Sequence, residues 1–230
     1  MHTKTALITG ANRGIGLEFC QQLLAQEFQV HATCRNPSQA KELLNLQSQY
    51  PLLTIHTLDV TNQNDIEKLA NTLKEIAIDR LILNAGISGE NGVTIGNISA
   101  ENFQHVYATN TIAPICILNA LHQNLAKSTE KLVLVVSSKM GSISDNQSGK
   151  SYAYRSSKTA LNSIMISAAL DLAAQNIKIL LLHPGWVKTD MTGDHAPIDT
   201  KTSVAGMLSI AQQADHWKSG TFIDYKQDLI

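Results

Sequence analysis

Cysteine is scarce: the chain has three, Cys20, Cys34 and Cys116, odd in number and far apart. That spacing excludes a disulfide framework and a cysteine-based metal cluster, and predicts reduced, partly buried small apolar residues. The eight histidines show no metal-ligand spacing either, so no metal is expected. Neither charge is in excess, with 18 Lys and Arg against 19 Asp and Glu and no charged runs. Binding nucleic acid needs clustered Lys and Arg to meet the phosphates, so no nucleic-acid partner is expected. No segment approaches the roughly 18 uninterrupted apolar residues of a membrane span. The first apolar stretch, Ala6 to Ile8, is too short for a signal peptide. A cytoplasmic chain without a membrane partner is the expectation. Linkers, repeats and low-complexity blocks are missing as well, which predicts one domain over residues 1–230.

What the chain does contain is a 43% hydrophobic share over 230 residues, enough for a substantial core. Short runs rich in β-branched residues alternate with longer stretches of helical period. Strands are predicted at Ala6–Thr9, Phe28–Cys34, Leu52–Leu58, Arg80–Leu83, Lys131–Val136, Ile177–Leu182 and Thr221–Tyr225. Helices are predicted at Ile15–Gln26, from Pro37 to about Gln49, and from Asn62 to about Ala77. Three more follow, at Glu101 to about Lys127, a segment carrying Tyr154 and Lys158 to about Ala174, and around Val204–Gln213. Strands apolar on both faces and separated by helices predict a doubly wound α/β domain, a seven-stranded parallel sheet with helices on both faces. In such a sheet ligands bind beyond the carboxyl ends of the strands. Gly10, Asp59, Asn84, Ser138 and Pro184-Gly185 all fall at or just past a strand's end, so they predict one cleft.

Two features of that edge suggest chemistry. Tyr154 and Lys158 are four apart, which on a helix stacks a phenol beside an ammonium. A nearby cation favours the phenolate and lowers a pKa that is ordinarily about 10. Such a tyrosine exchanges protons with a carbonyl or alcohol oxygen. Tyr152 has only the uncharged Ser156 in the same relation. Thr9-Gly-Ala-Asn-Arg-Gly-Ile-Gly16 joins the first strand to the first helix. Gly10 allows a tight turn, Gly14 lets backbone approach a pyrophosphate, and Gly16 lets the helix sit close to the sheet. The helix N-terminus offers N–H groups and partial positive charge to phosphates.

The glycines at 10, 14 and 16 depart from the usual G-x-G-x-x-G. Their pattern resembles the Thr-Gly-x-x-x-Gly-x-Gly turn of the short-chain dehydrogenase/reductase family. Further motifs arrive in that family's order: Asp59-Val60, Asn84-Ala85-Gly86, Asn110, Ser138, Tyr154 with Lys158, and Pro184-Gly185 with Val187 and Thr189. The run Ser137 to Ser142, with Tyr152-Ala-Tyr-Arg155, looks most like carbonyl reductases of the sniffer and C-factor type. The resemblance spans essentially the whole chain and implies a single Rossmann-like catalytic domain.

It also implies roles. Tyr154 would be the acid/base, Ser138 would hydrogen-bond the carbonyl oxygen, and Asn110 would hold a water that links Lys158 to solvent. Lys158 would lower the Tyr154 pKa and grip the nicotinamide ribose. Gly10, Asn12, Arg13, Gly14, Ile15 and Gly16 would cradle the cofactor. Asp59 and Val60 would touch the adenine, Asn84, Ala85 and Gly86 would pass behind the riboses, and Thr189 would steady the nicotinamide amide. At the end of the second strand stands Arg35 rather than an acid, and Arg13 is a second cation. Together they predict NADP(H) over NAD(H). The expected reaction is reduction of a small carbonyl substrate to an alcohol. A nucleotide-binding signalling protein of low activity is the alternative, and an epimerase or dehydratase ranks last.

Three finer expectations concern the surroundings. Ser137 and Ser138 alternate faces in a continuing strand, and the family pattern selects Ser138, with Ser142 as a second candidate. The loop Ile143 to Lys150 should border the substrate, and His183 should be a hydrogen-bonded loop histidine. Resembling proteins pair through the long helix and the Tyr154 helix, so a homodimer or homotetramer is expected. Leu161, Ile164, Met165 and Ala168 would either serve that interface or face the sheet.

Overall fold

A computed structural model describes residues 3–230. Seven strands form one sheet: β1 (Thr5–Ile8), β2 (Gln29–Cys34), β3 (Leu53–Thr57), β4 (Arg80–Leu83), β5 (Leu132–Val136), β6 (Lys178–His183) and β7 (Phe222–Asp224). Their order is β3-β2-β1-β4-β5-β6-β7 and every pairing is parallel. The direction of winding reverses between β1 and β4, which opens a crevice at their carboxyl ends.

Seven α-helices cover the two faces: α1 (Gly14–Ala25), α2 (Lys41–Gln49), α3 (Gln63–Thr72), α4 (Ala100–Tyr107), α5 (Ala113–Ala126), α6 (Tyr152–Asp171) and α7 (Thr200–Gln212). Strand alternation divides the core accordingly. Leu132, Leu134 and Val136 of β5 face Leu23, Leu43 and Met207 of α1, α2 and α7. Val133 and Val135 face Ile66, Leu121 and Met165 of α3, α5 and α6. Both layers are apolar, so the strands read as nearly unbroken hydrophobic runs. This is the doubly wound, Rossmann-like sheet that the alternation predicts.

Several boundaries differ from expectation, each for a local reason. The helix predicted from Pro37 breaks at Ala40, whose φ of −83° and ψ of 65° are not helical, leaving a 3₁₀ turn ahead of α2. α3 stops at Thr72, and the Asn124 amide donates to the carbonyls of Leu73 and Ile76 just beyond it. α7 starts at Thr200, earlier than predicted, where the Asp199 carboxylate caps the Thr202 N–H at 2.7 Å. The predicted long helix is interrupted by a π-helical turn, Ala108–Ile112, between α4 and α5. Leu161, Met165 and Ala168 are buried against the sheet, whereas Ile164, the fourth of that set, is only half-buried. On the outside of α6, Ile166 and Leu170 are exposed. The three cysteines are free. Among the described residues no helix is long and apolar enough to cross a membrane, and no metal-ligating cluster is found.

Candidate active site

A cleft of about 1350 Å³ runs along the carboxyl edge of the sheet. It is lined by every residue of the predicted cofactor and catalytic set except Asn110, which lies buried directly behind it. At one end is the glycine turn. Gly10 has a φ of +65° and Gly14 of +55°, conformations that favour glycine. Gly16 has no room for a side chain, because a Cβ there would strike the Gly10 carbonyl and stand 2.6 Å from Asn84 Nδ2. The Asn84 amide donates to the carbonyls of Thr9 and Gly10 at 2.9 and 3.1 Å. Turn, helix and fourth strand are thereby fixed to one another. The N-terminus of α1 stays open to the cleft.

Charges at the glycine-turn end are more mixed than the sequence suggests. Arg35 is exposed and lines the cleft without an ion pair among the described residues. Arg13 is paired with Asp190 at 2.5 Å, across the cleft from the glycine turn. Glu42 also lines this end, although no acid stands beside Arg35 in the chain. It comes from α2, and its approach depends on how that helix packs. Asp59 accepts from the Thr61 N–H at 2.9 Å and hydroxyl at 2.7 Å. Those bonds, with lesser help from Arg35 and His105, hold its carboxyl below the usual range.

At the other end stand Ser138, Tyr154 and Lys158. Ser137 Oγ turns away and donates to Asn162 Oδ1 at 2.6 Å. Ser138 faces the phenol, and its Oγ accepts from the Met140 N–H at 3.2 Å. Ser142 hydrogen-bonds Ser144 at 3.2 Å in the adjoining loop and does not line the cleft. Burial raises the Tyr154 pKa, and hydrogen bonding to Ser138 works against the rise. Lys158 is 4% exposed, its Nζ donates to the Val136 carbonyl at 2.9 Å, and burial lowers its pKa to about 8. That Nζ lies 5.9 Å from the centre of the Tyr154 ring. The four-residue spacing places the pair as neighbours on α6, yet desolvation outweighs the expected lowering of the phenol. Gly86 completes this corner, for a Cβ on it would lie 3.4 Å from Asn110 Oδ1 and 3.7 Å from Lys158 Nζ.

The borders follow expectation in part. Asp145 and Lys150 of the Ile143–Lys150 loop line the cleft, and Asp145 pairs with Lys139 at 3.2 Å. Gly149, Lys150 and Ser151 are all left-handed, with φ of +62°, +58° and +48°, immediately before α6. His183 departs from its prediction. Its buried Nδ1 has no hydrogen-bond partner, and burial lowers its pKa to about 4.

A model of the short chain dehydrogenase family matches residues 4–198. The chain belongs to that family. A curated relative, C-signal of Myxococcus xanthus, is 37% identical over 149 residues, 65% of this chain and 89% of that protein. Carbonyl reductase Sniffer of D. melanogaster superposes with a TM-score of 0.92 at 35% identity, covering 100% of this chain and 99% of that one. The NADPH-bound carbonyl reductase from chicken fatty liver gives a TM-score of 0.91 at 36% identity, with the same coverage. This short-chain dehydrogenase is an oxidoreductase, and carbonyl reductases are among its structural neighbours.

Proposed function

We propose that the protein uses NADPH to reduce aldehydes and ketones to alcohols and quinones to hydroquinones. The observation that carries this reading is the convergence of Ser138, Tyr154 and buried Lys158 at one end of the cleft. A dinucleotide would lie along the other end, where Gly10, Gly14 and Gly16 add no side chains and the N-terminus of α1 meets the cleft. Gly10, Asn12, Gly14, Ile15 and Gly16 would hold its pyrophosphate. Asp59 and Val60 would border the adenine, and Asn84, Ala85 and Gly86 the riboses. Pro184, Gly185, Val187 and Thr189 would flank the nicotinamide. When bound, the nicotinamide supplies the hydride.

The chain's own residues handle the proton and the charge. Ser138 Oγ accepts from Met140 N–H, and its one hydrogen, shared with the Tyr154 oxygen, would turn to a substrate carbonyl oxygen. Tyr154, with its pKa raised by burial, is protonated at neutral pH and ready to donate to the same oxygen. Lys158 is mostly an ammonium at pH 7, since its pKa is about 8. It offsets the negative charge that the phenol acquires on giving up its proton, and its remaining donors are available to a ribose hydroxyl. Asn110, which lies near Lys158 beside Gly86, would hold the water that returns the proton.

Arg35 supports NADPH over NADH, because a guanidinium fork suits a 2′-phosphate. Arg13 would join it on leaving Asp190. Similarity to C-signal favours a second reading, a nucleotide-binding signalling protein of low activity. One experiment separates the two: NADPH oxidation with a panel of aldehydes, ketones and quinones, for wild type and Tyr154→Phe. The expected result is turnover that falls by about 10²–10⁴-fold in the variant, with NADPH still bound. NADPH binding without turnover on any substrate would favour the signalling reading. A preference for NADH would sink the arginine argument.

A further inference from the structure

Ser157 and Thr111 have no part in the chemistry above, yet both are polar and buried, at 0% and 3% exposure. Ser157 lies on α6 between Tyr154 and Lys158. Its Oγ donates to the Tyr154 carbonyl at 2.8 Å and accepts from Asn110 Nδ2 at 3.1 Å. Its own carbonyl accepts from Thr111 Oγ1 at 2.9 Å. Two consecutive residues, Asn110 and Thr111, thus bind one residue of a neighbouring helix. In a regular α-helix adjacent side chains diverge by about 100°, and only one would face α6. The π turn Ala108–Ile112, closed by the Ala113 N–H on the Ala108 carbonyl, widens the backbone there and lets both reach Ser157.

Asn110 carries the connection onward. Its Oδ1 accepts from the Ile87 N–H and its Nδ2 donates to the Ile87 carbonyl, both at 2.9 Å. A continuous set of bonds therefore links the loop after β4, the π turn and the Tyr154 carbonyl. The opposite side of the same helical turn is held too, by Thr159 Oγ1 donating to the Gly141 carbonyl at 2.8 Å. There a Cβ on Gly141 would lie only 3.0 Å from Lys158 Cβ.

We propose that Ser157 and Thr111 are positioning residues, which lock α6 against the π turn and so set where the Tyr154 hydroxyl meets Ser138 and Lys158 meets Gly86. Apolar residues of the same size would fill the space without fixing rotation or height, whereas hydrogen bonds are directional. Since Ser157 is flanked by the two reacting side chains, a small movement displaces both, and a misplacement of about 1 Å can cost about 10²-fold in rate. The proposal rests on the carbonyl reduction argued above.

The test compares Thr111→Val, which removes the hydroxyl, with Thr111→Ser, which keeps it. Thr111→Val is expected to lower kcat by about tenfold or more, given the sensitivity of rate to placement. NADPH affinity should hold within a few-fold of wild type, and Thr111→Ser should recover most of the rate. Equal loss in both variants, or wild-type kcat in Thr111→Val, would overturn the proposal. Ser157→Ala provides the same comparison if Thr111→Val does not fold, alanine being a good helix former. A second readout needs no turnover: the ionisation of Tyr154, followed by ultraviolet absorbance against Tyr154→Phe. It should shift in Thr111→Val and Ser157→Ala but not in Thr111→Ser, and an unmoved titration would refute the clamp. If wild type binds NADPH and reduces nothing, the reduction reading fails by itself, and this titration alone judges the clamp.

Discussion

Lys158 carries a conflict between folding and chemistry. Burial holds its pKa at about 8, against an ordinary 10.5, so its charge at neutral pH is kept at a cost to the fold. The sign follows from linkage. Below about pH 8 the folded protein holds the ammonium in a site that disfavours it, and the penalty fades as pH rises toward the unfolded value. One hydrogen bond, to the Val136 carbonyl, offsets part of it. Lys158→Met should therefore abolish carbonyl reduction while leaving the melting temperature at pH 7 unchanged or a few degrees higher, since removing a buried charge and keeping the volume is often neutral or stabilising. Differential scanning fluorimetry beside an NADPH assay checks it. A melting temperature several degrees lower would mean that the ammonium stabilises the fold. At this scale the sequence was informative: the spacing of Tyr154 and Lys158 placed them correctly. The direction of the Tyr154 shift was not legible, because it depends on how tightly other elements close over the phenol.

Between elements, the glycine turn is the part that local physics determines. Gly10 and Gly14 adopt left-handed backbone, and Gly16 needs an absent side chain, so the glycines between an apolar run and a helical period indicated a strand, a turn and a helix. Gly16→Ala should show the cost of disturbing it. Its methyl would press on the Gly10 carbonyl and the Asn84 amide that tie β1, α1 and β4 together. Overpacking of this kind costs about 1–3 kcal/mol. With roughly 2–4 °C per kcal/mol in a domain of this size, the melting temperature should drop measurably, and the upward shift produced by NADPH should shrink. A variant that melts and binds NADPH like wild type would show that the turn can move aside. The π turn, by contrast, could not be read from sequence. Nothing in Ala108–Ile112 announces an extra residue per turn, and its bonds reach Ile87 and Ser157 far along the chain. The pairing of Arg13 with Asp190 was hidden for the same reason.

Across the whole molecule, acid sensitivity should come first from two histidines in the sheet. His31 of β2 stacks on His56 of β3 with ring centres 5.1 Å apart and nitrogens 2.8 Å apart. His31 is 3% exposed, its Nε2 has no partner, and burial lowers its pKa from 6.5 to about 4, with His56 adding repulsion. Burial also lowers the His56 pKa. Above pH 6.5 the histidines are neutral in both folded and unfolded chains, and stability is complete. As pH falls from 6.5 toward 4, the unfolded chain takes up protons that the folded one refuses, so stability falls by up to about 1.4 kcal/mol per pH unit for each fully coupled group. His183, with its pKa also near 4, adds to the same window. Asp59 acts lower: its depressed pKa gives stability above the ordinary carboxylate range that is lost only as pH drops through the folded value. The interval from pH 7 to 5 therefore reports mainly on the histidines. Wild type should lose several degrees of melting temperature over that interval, and His31→Leu, which fills the site without a titrating group, should lose distinctly less. Parallel melting curves for the two proteins would place the acid-sensitive element elsewhere.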